Sequence, residues 1–154
     1  MVRALELADW AEWRRMRCAL WPHHTSAEHE VEMKAWLARS DAAVVVCPRE
    51  SGGLCGFAEV GTRPYADGCR TSPVAFLEGW YVDPDARNTG LGRALVEAVE
   101  AWARGRALRE LASDALLENV QSQQAHVRLG FVEVERTVRY RKSLRDCEYR
   151  DQTG

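Results

Sequence analysis

Phe76-Leu-Glu-Gly-Trp-Tyr-Val-Asp-Pro-Asp-Ala-Arg-Asn-Thr-Gly-Leu-Gly-Arg93 is an apolar run that breaks into a glycine-bearing turn and restarts as an amphipathic segment. Proline lacks a backbone donor and biases its predecessor away from helix, so the strand is expected to end at Asp83-Pro84. The turn Arg87-Asn88-Thr89-Gly90-Leu91-Gly92 lets bare backbone N–H groups approach an anion. The helix after it aims the positive end of its dipole at the same anion, and Arg87 and Arg93 add charge.

That helix is predicted over Leu91–Arg106, with Leu91, Ala94, Leu95, Ala98, Val99 and Trp102 on one face. Upstream, Ala42–Cys47 and Leu54–Val60 read as a hairpin turned at Glu50-Ser-Gly-Gly53, followed by a long loop carrying Tyr65 and a third strand, Val74–Val82. Two helices precede the hairpin. Asp9 and Glu12 suggest a capping box for the first, which Pro22 stops, and Ser26 is expected to cap the second, with Val31, Ala35 and Trp36 on its inner face. Beyond Arg106 come a short strand in Glu110–Leu116, a helix from about Asn119 to Leu129 closed by Gly130, and one bent strand or two over Phe131–Leu144. The order α, α, β, β, β, α, β, α, β predicts an α/β (α+β) fold. Its mixed central sheet is antiparallel early and parallel across the crossover helix.

The 154 residues fit one domain over 1–144, with a charged tail, Arg145–Gly154, expected to be disordered. A net charge of −2 supplies no basic field for nucleic acid. The five cysteines include no Cys-x-x-Cys pair, and the histidines lack ligand spacing, so neither a disulfide framework nor a metal is implied and a reducing cytoplasm is expected. No stretch reaches the roughly 18 apolar residues of a membrane span, and no signal peptide is read at the N-terminus.

Simple alternation puts Phe76, Glu78, Trp80 and Val82 on one face of their strand and Leu77, Gly79 and Tyr81 on the other, leaving Glu78 in an apolar row. An unpaired buried carboxylate is costly, so Glu78 reaches solvent, pairs with an arginine, or faces a cavity that receives a cation. Asp114 stands at the carboxyl end of a strand, where open α/β sheets build sites, but on the residue pattern alone an ordinary turn or capping aspartate is the better reading. Glu133 and Glu135 share a strand face of the kind that is usually solvated.

Arg87-Asn-Thr-Gly-Leu-Gly92 resembles the Arg/Gln-x-x-Gly-x-Gly/Ala loop of the GNAT acetyltransferase superfamily, and Asn119 and Leu129-Gly130-Phe131 fall where that family opens and closes its last helix. A closer resemblance is to aminoglycoside 6′-N-acetyltransferases. It is carried by Leu20-Trp21-Pro22, Tyr65-Ala-Asp-Gly-Cys69, Ser72-Pro-Val-Ala-Phe-Leu-Glu-Gly79, Ala112-Ser-Asp114 and Gly130-Phe-Val-Glu-Val-Glu-Arg136. The resemblance implies acetyl-CoA as cosubstrate, with Trp80, Tyr81 and Val82 at its acetyl and pantetheine end, Arg87, Asn88, Thr89, Gly90, Leu91, Gly92 and Arg93 at the pyrophosphate, and Asn119 nearby. It implies direct transfer to an aminoglycoside amine, with Asp114 and Glu78 catalytic and Trp21, Tyr65, Glu78, Asp114 and Glu135 binding the polycation. A homodimer is expected, and His126 stands where many family members carry a tyrosine acid. Acetylation of a polyamine or protein amine, and a non-catalytic acetyl-CoA sensor, remain the rival readings.

Overall fold

The structure, a computed structural model, describes residues 1–144; the tail expected over 145–154 lies outside the described residues. Five strands form one sheet in the order β1 (Arg3–Ala4), β2 (Ala42–Pro48), β3 (Leu54–Arg63), β4 (Val74–Val82) and β5 (Leu111–Ser113). β1 to β4 pair antiparallel, and β4 and β5 pair parallel across the crossover helix. The β2–β3 turn uses Gly52 and Gly53 at φ of 95° and 76°, left-handed values that glycine adopts without side-chain cost. The two-residue β1 has too little sequence to show a period, and no strand was expected there.

The helices α1 (Trp10–Leu20), α2 (Ser26–Leu37), α3 (Leu91–Gly105) and α4 (Val120–Arg128) cover both faces. On one face Trp13, Met16 and Met33 pack against Val44, Val46 and Phe57. On the other, Leu95, Val96 and Val99 of α3 pack on Ala58, Val60, Ala75 and Leu77, with Leu129 and Phe131 at the margin.

The early helices start and face differently from expectation. Asp9 does not cap α1; it closes a 3-10 turn by accepting the Glu6 N–H at 2.8 Å and pairs with Arg3, while Glu12 holds Arg15 and the Leu54 N–H. Thr25, not Ser26, caps α2 by accepting the Glu28 N–H. Val31 is exposed, and α2 buries His29 and Met33 instead.

Two larger corrections concern strands. β4 does not alternate simply, because its pairing with β3 jumps from Glu59↔Gly79 to Val60↔Leu77 and leaves Glu78 as a bulge. Leu77 and Trp80 therefore pack toward α3, while Phe76 joins a separate cluster with Ala66 and Val74. Phe131–Leu144 forms no strand among the described residues: beyond the half-buried Phe131 the segment is irregular and exposed, with no neighbour in register.

Candidate active site

β4 ends at Val82, as the Asp83-Pro84 pair predicts, and Asp83 anchors the turn beyond it. Its N–H donates to Cys55 O, and its carboxylate accepts from Arg15 at 2.9 and 3.0 Å and from Arg49 at 2.8 Å. Burial pushes the Asp83 carboxyl up, but the two guanidiniums outweigh it and hold the group below the usual carboxylate range. The turn is then shaped by Arg87 Nε donating to Val82 O and Thr89 Oγ1 to Ala86 O, with Asn88 and Gly90 at φ of 61° and 87°. The first ladder bond of α3 is Ala94 N–H to Gly90 O, so the N–H groups of Leu91, Gly92 and Arg93 precede the ladder. Residues Arg87 to Gly90 are exposed around that end. The geometry suits an anion such as a pyrophosphate.

The sheet opens next to this turn. β5 ends at Ser113 opposite Leu77, and the β4 residues beyond, Glu78 to Val82, have no strand on that edge among the described residues. Trp80 roofs the fork, its Nε1 donating to Gly92 O at 3.2 Å, and a Cβ at Gly92 would meet its ring at 3.3 Å. His126 of α4 stands edge-on to Trp80 and Phe131. Its Nδ1 donates to Ser122 O at 2.7 Å, which turns the Nε2 lone pair to the Ser113 hydroxyl at 2.8 Å. Asn119 caps α4, its Oδ1 accepting the Ser122 N–H.

On the α1/α2 side of the sheet lies a cleft of about 530 Å³ lined by Arg17, Trp21, His24, Glu32, Trp36, Arg39, Glu59 and Glu78, among others. Its floor is a buried polar network in which Arg17 (3% exposed) pairs with Glu59 (2% exposed) and with Glu32, and Trp13 Nε1 donates to Glu59 at 2.9 Å. Burial raises the Glu59 carboxyl against these partners. Trp21 is fixed by the same network: Arg17 lies 4.7 Å from its ring centroid, His29 stacks on it, and His29 Nε2 donates to its carbonyl. Gly79 makes the room, since a Cβ there would sit 2.7 Å from the Trp21 ring. Glu78 enters from the bulge, both oxygens held by Arg63.

The structure thus brings Trp21 and Glu78 together and sets Tyr65, Asp114 and Glu135 outside the cleft lining. Tyr65 is exposed and donates to Asp67 at 2.9 Å, which raises its phenol. Asp114, just past the fork, is exposed with Arg139 3.9 Å away. Glu135 lies on the irregular segment after α4, close enough to raise the Tyr65 phenol as well. Sequence reasoning missed Arg17, Glu32, Trp36 and Glu59; the signal for Glu59 was a lone acid in the apolar run Leu54–Val60, the argument applied to Glu78. A smaller hollow of about 370 Å³ lies between Thr71–Pro73 and Arg106–Arg109, past the far end of α3.

Burial pushes the Cys47 thiol up to about 11 and raises those of Cys55 and Cys69, which disfavours a thiolate nucleophile at these positions. No group of three metal-ligating side chains occurs among the described residues.

The model of the acetyltransferase (GNAT) family matches residues 7–131. An aminoglycoside N(6′)-acetyltransferase type 1 of Klebsiella aerogenes is 48% identical over 147 residues, 94% of this chain and 97% of that protein, and a protein of the same name from Stenotrophomonas maltophilia is 44% identical over 93% of each. The crystal structure of an aminoglycoside 6′-N-acetyltransferase from Acinetobacter haemolyticus superposes with a TM-score of 0.88 at 34% identity, covering 94% of this chain and 99% of that one. AAC(6′)-Iy in complex with the bisubstrate analogue CoA-S-monomethyl-acetylneamine superposes with a TM-score of 0.87 at 37% identity, over 93% and 97%. With a glycine turn shaped to suit an anion, a forked sheet and relatives aligned over nearly its whole length, the chain belongs to the GNAT acetyltransferase family, among its aminoglycoside 6′-N-acetyltransferases.

Proposed function

We propose that this protein moves the acetyl group of acetyl-CoA to the 6′-amino group of aminoglycoside antibiotics and so confers resistance to them. The carrying observation is the fork between β4 and β5, where the strand running to the glycine turn of α3 loses its neighbour just as Glu78 enters the acid- and tryptophan-lined cleft on the opposite face. Acetyl-CoA enters with its pyrophosphate on Arg87–Arg93 and its pantetheine along Trp80, Tyr81 and Val82, Asn119 bordering the same side. The aminoglycoside lies in the cleft against Trp21, with Glu78 holding an ammonium and Tyr65, Asp114 and Glu135 closing around its outer rings.

In this reading Asp114, at the fork, takes the proton of the 6′-ammonium, and the neutral amine attacks the thioester carbon. The C–N bond forms, the C–S bond breaks, and the CoA thiolate leaves and is protonated from solvent. Holding both substrates in one frame removes much of the entropic barrier. Glu78 acts by placing charge, because Arg63 already occupies both its oxygens.

We further infer a homodimer built from residues 1–144. Val132, Val134, Val138, Tyr140 and Leu144 are exposed on the segment after α4, and β5 is an edge strand, so a second copy can pair with both. A cytoplasmic setting accords with the unpaired Cys18, Cys47, Cys55 and Cys69, and we assign no nucleic acid or membrane partner. Among the described residues no helix is long and apolar enough to cross a membrane.

The test is thiol release from acetyl-CoA with kanamycin, with a 6′-hydroxyl aminoglycoside and with spermidine. Turnover confined to kanamycin is expected; turnover with spermidine alone would move the reading to a polyamine enzyme.

A further inference from the structure

Glu78 reaches the cleft with its charge already matched. Arg63, the last residue of β3, donates from Nε to one carboxylate oxygen at 2.8 Å and from Nη2 to the other at 2.7 Å, the fork-on-fork geometry that suits guanidinium and carboxylate best. The guanidinium lies 3.5 Å from the centroid of the Phe76 ring, so an aromatic face backs it. Its side chain is 41% exposed, against 24% for Glu78. Around it, Arg39 is committed to Asp41 and to Thr62 O, and Arg17 to Glu59 and Glu32.

A cation arriving at Glu78 therefore meets a carboxylate held by another cation. The fork geometry makes this a good pair, but with the guanidinium 41% exposed water can take over its hydrogen bonds, so it is open to exchange or sharing. The exchange nevertheless favours a ligand that brings several charges at once, because its other ammonium groups can be held by the remaining acids while one displaces the guanidinium.

We infer that Arg63 is a specificity-determining residue: a resident counter-cation that occupies the substrate-ammonium seat on Glu78 and sets how much positive charge an amine must carry to be accepted. The inference rests on the reading of the cleft as the aminoglycoside site. The expected sign is unusual, since removing a well-bonded side chain next to the site should improve substrate binding.

The experiment compares steady-state kinetics of the wild type, R63Q, R63K, E78Q and the R63Q/E78Q double variant. The substrates are kanamycin and 6-amino-6-deoxyglucose, a single ring with one ammonium. R63Q is expected to lower KM for the monoamine by about three- to fivefold, with a smaller drop for kanamycin and no change in the KM of acetyl-CoA. R63K keeps the charge without the fork and should fall between wild type and R63Q, which preserves the test should R63Q fold poorly. In the E78Q background the gain from R63Q should vanish.

An unchanged or raised KM in R63Q, with E78Q impaired, would overturn the inference while leaving the site reading intact. An E78Q variant with wild-type kinetics would overturn both.

Discussion

Arg17 shows what a buried charge does when its surroundings are built for it. It spans Glu59 and Glu32 beneath the cleft and lies against the Trp21 ring. Replacing it by alanine strands Glu59 without its counter-charge, and a loss of about 3–5 kcal/mol in folding free energy is expected from denaturant melts. Asp83 gives a pH test. Its carboxyl is held below the usual range in the fold, so its stabilising contribution is present above the unfolded value near ~4 and fades as pH falls through the folded value. D83N should lower Tm by about 3–6 °C at neutral pH, with the gap from wild type closing in acid. A gap that stays constant down to acid pH would contradict the assignment. Among single side chains the sequence was half legible: Glu78 stood out as an acid among apolar neighbours, yet Glu59 sits in an equally apolar run. Its partner Arg17 lies 42 positions away on another element, beyond the reach of local pattern.

Among the helices and strands, the glycine turn and α3 followed their sequence closely, because proline, glycine and a strong amphipathic period act locally. α2 did not. Its buried face is set by His29 reaching the Trp21 carbonyl and by Met33, so an aliphatic count placed Val31 inward when it lies in solvent. The bulge at Glu78 was illegible for a related reason: it is a property of the pairing between β3 and β4 and leaves no mark in one strand alone. Gly79 is its companion, keeping space for Trp21. G79A should displace that ring and raise the aminoglycoside KM by about tenfold, while the KM of acetyl-CoA, whose proposed seat is on the other face, holds steady. Equal rises in both would show a general distortion of the sheet instead.

For the protein entire, residues 131–144 matter most. The alternating Val132, Val134 and Val138 have the composition of a strand, but a strand exists only against a partner, and among the described residues of one copy none is in register. Light scattering at micromolar concentration should therefore report a dimer, and a chain cut after Phe131 should be monomeric. The same cut should weaken aminoglycoside turnover, because Val134 packs onto Gly68 beside Tyr65 and carries Glu135 with it. A monomeric full-length protein would refute the assembly.

The bulge at Glu78 puts the two halves of β4 out of phase. Residues before it present odd positions to α3, Ala75 and Leu77, and residues after it present even ones, Trp80 and Val82. Losing or gaining a single residue here would not shorten the strand so much as exchange inside for outside along one half of it, turning Trp80 away from the glycine turn or Leu77 out of the core. Length in this stretch is thus as constrained as composition, and in comparisons among relatives a gap falling between Val74 and Val82 would signal a rebuilt candidate site even where every aligned residue matched.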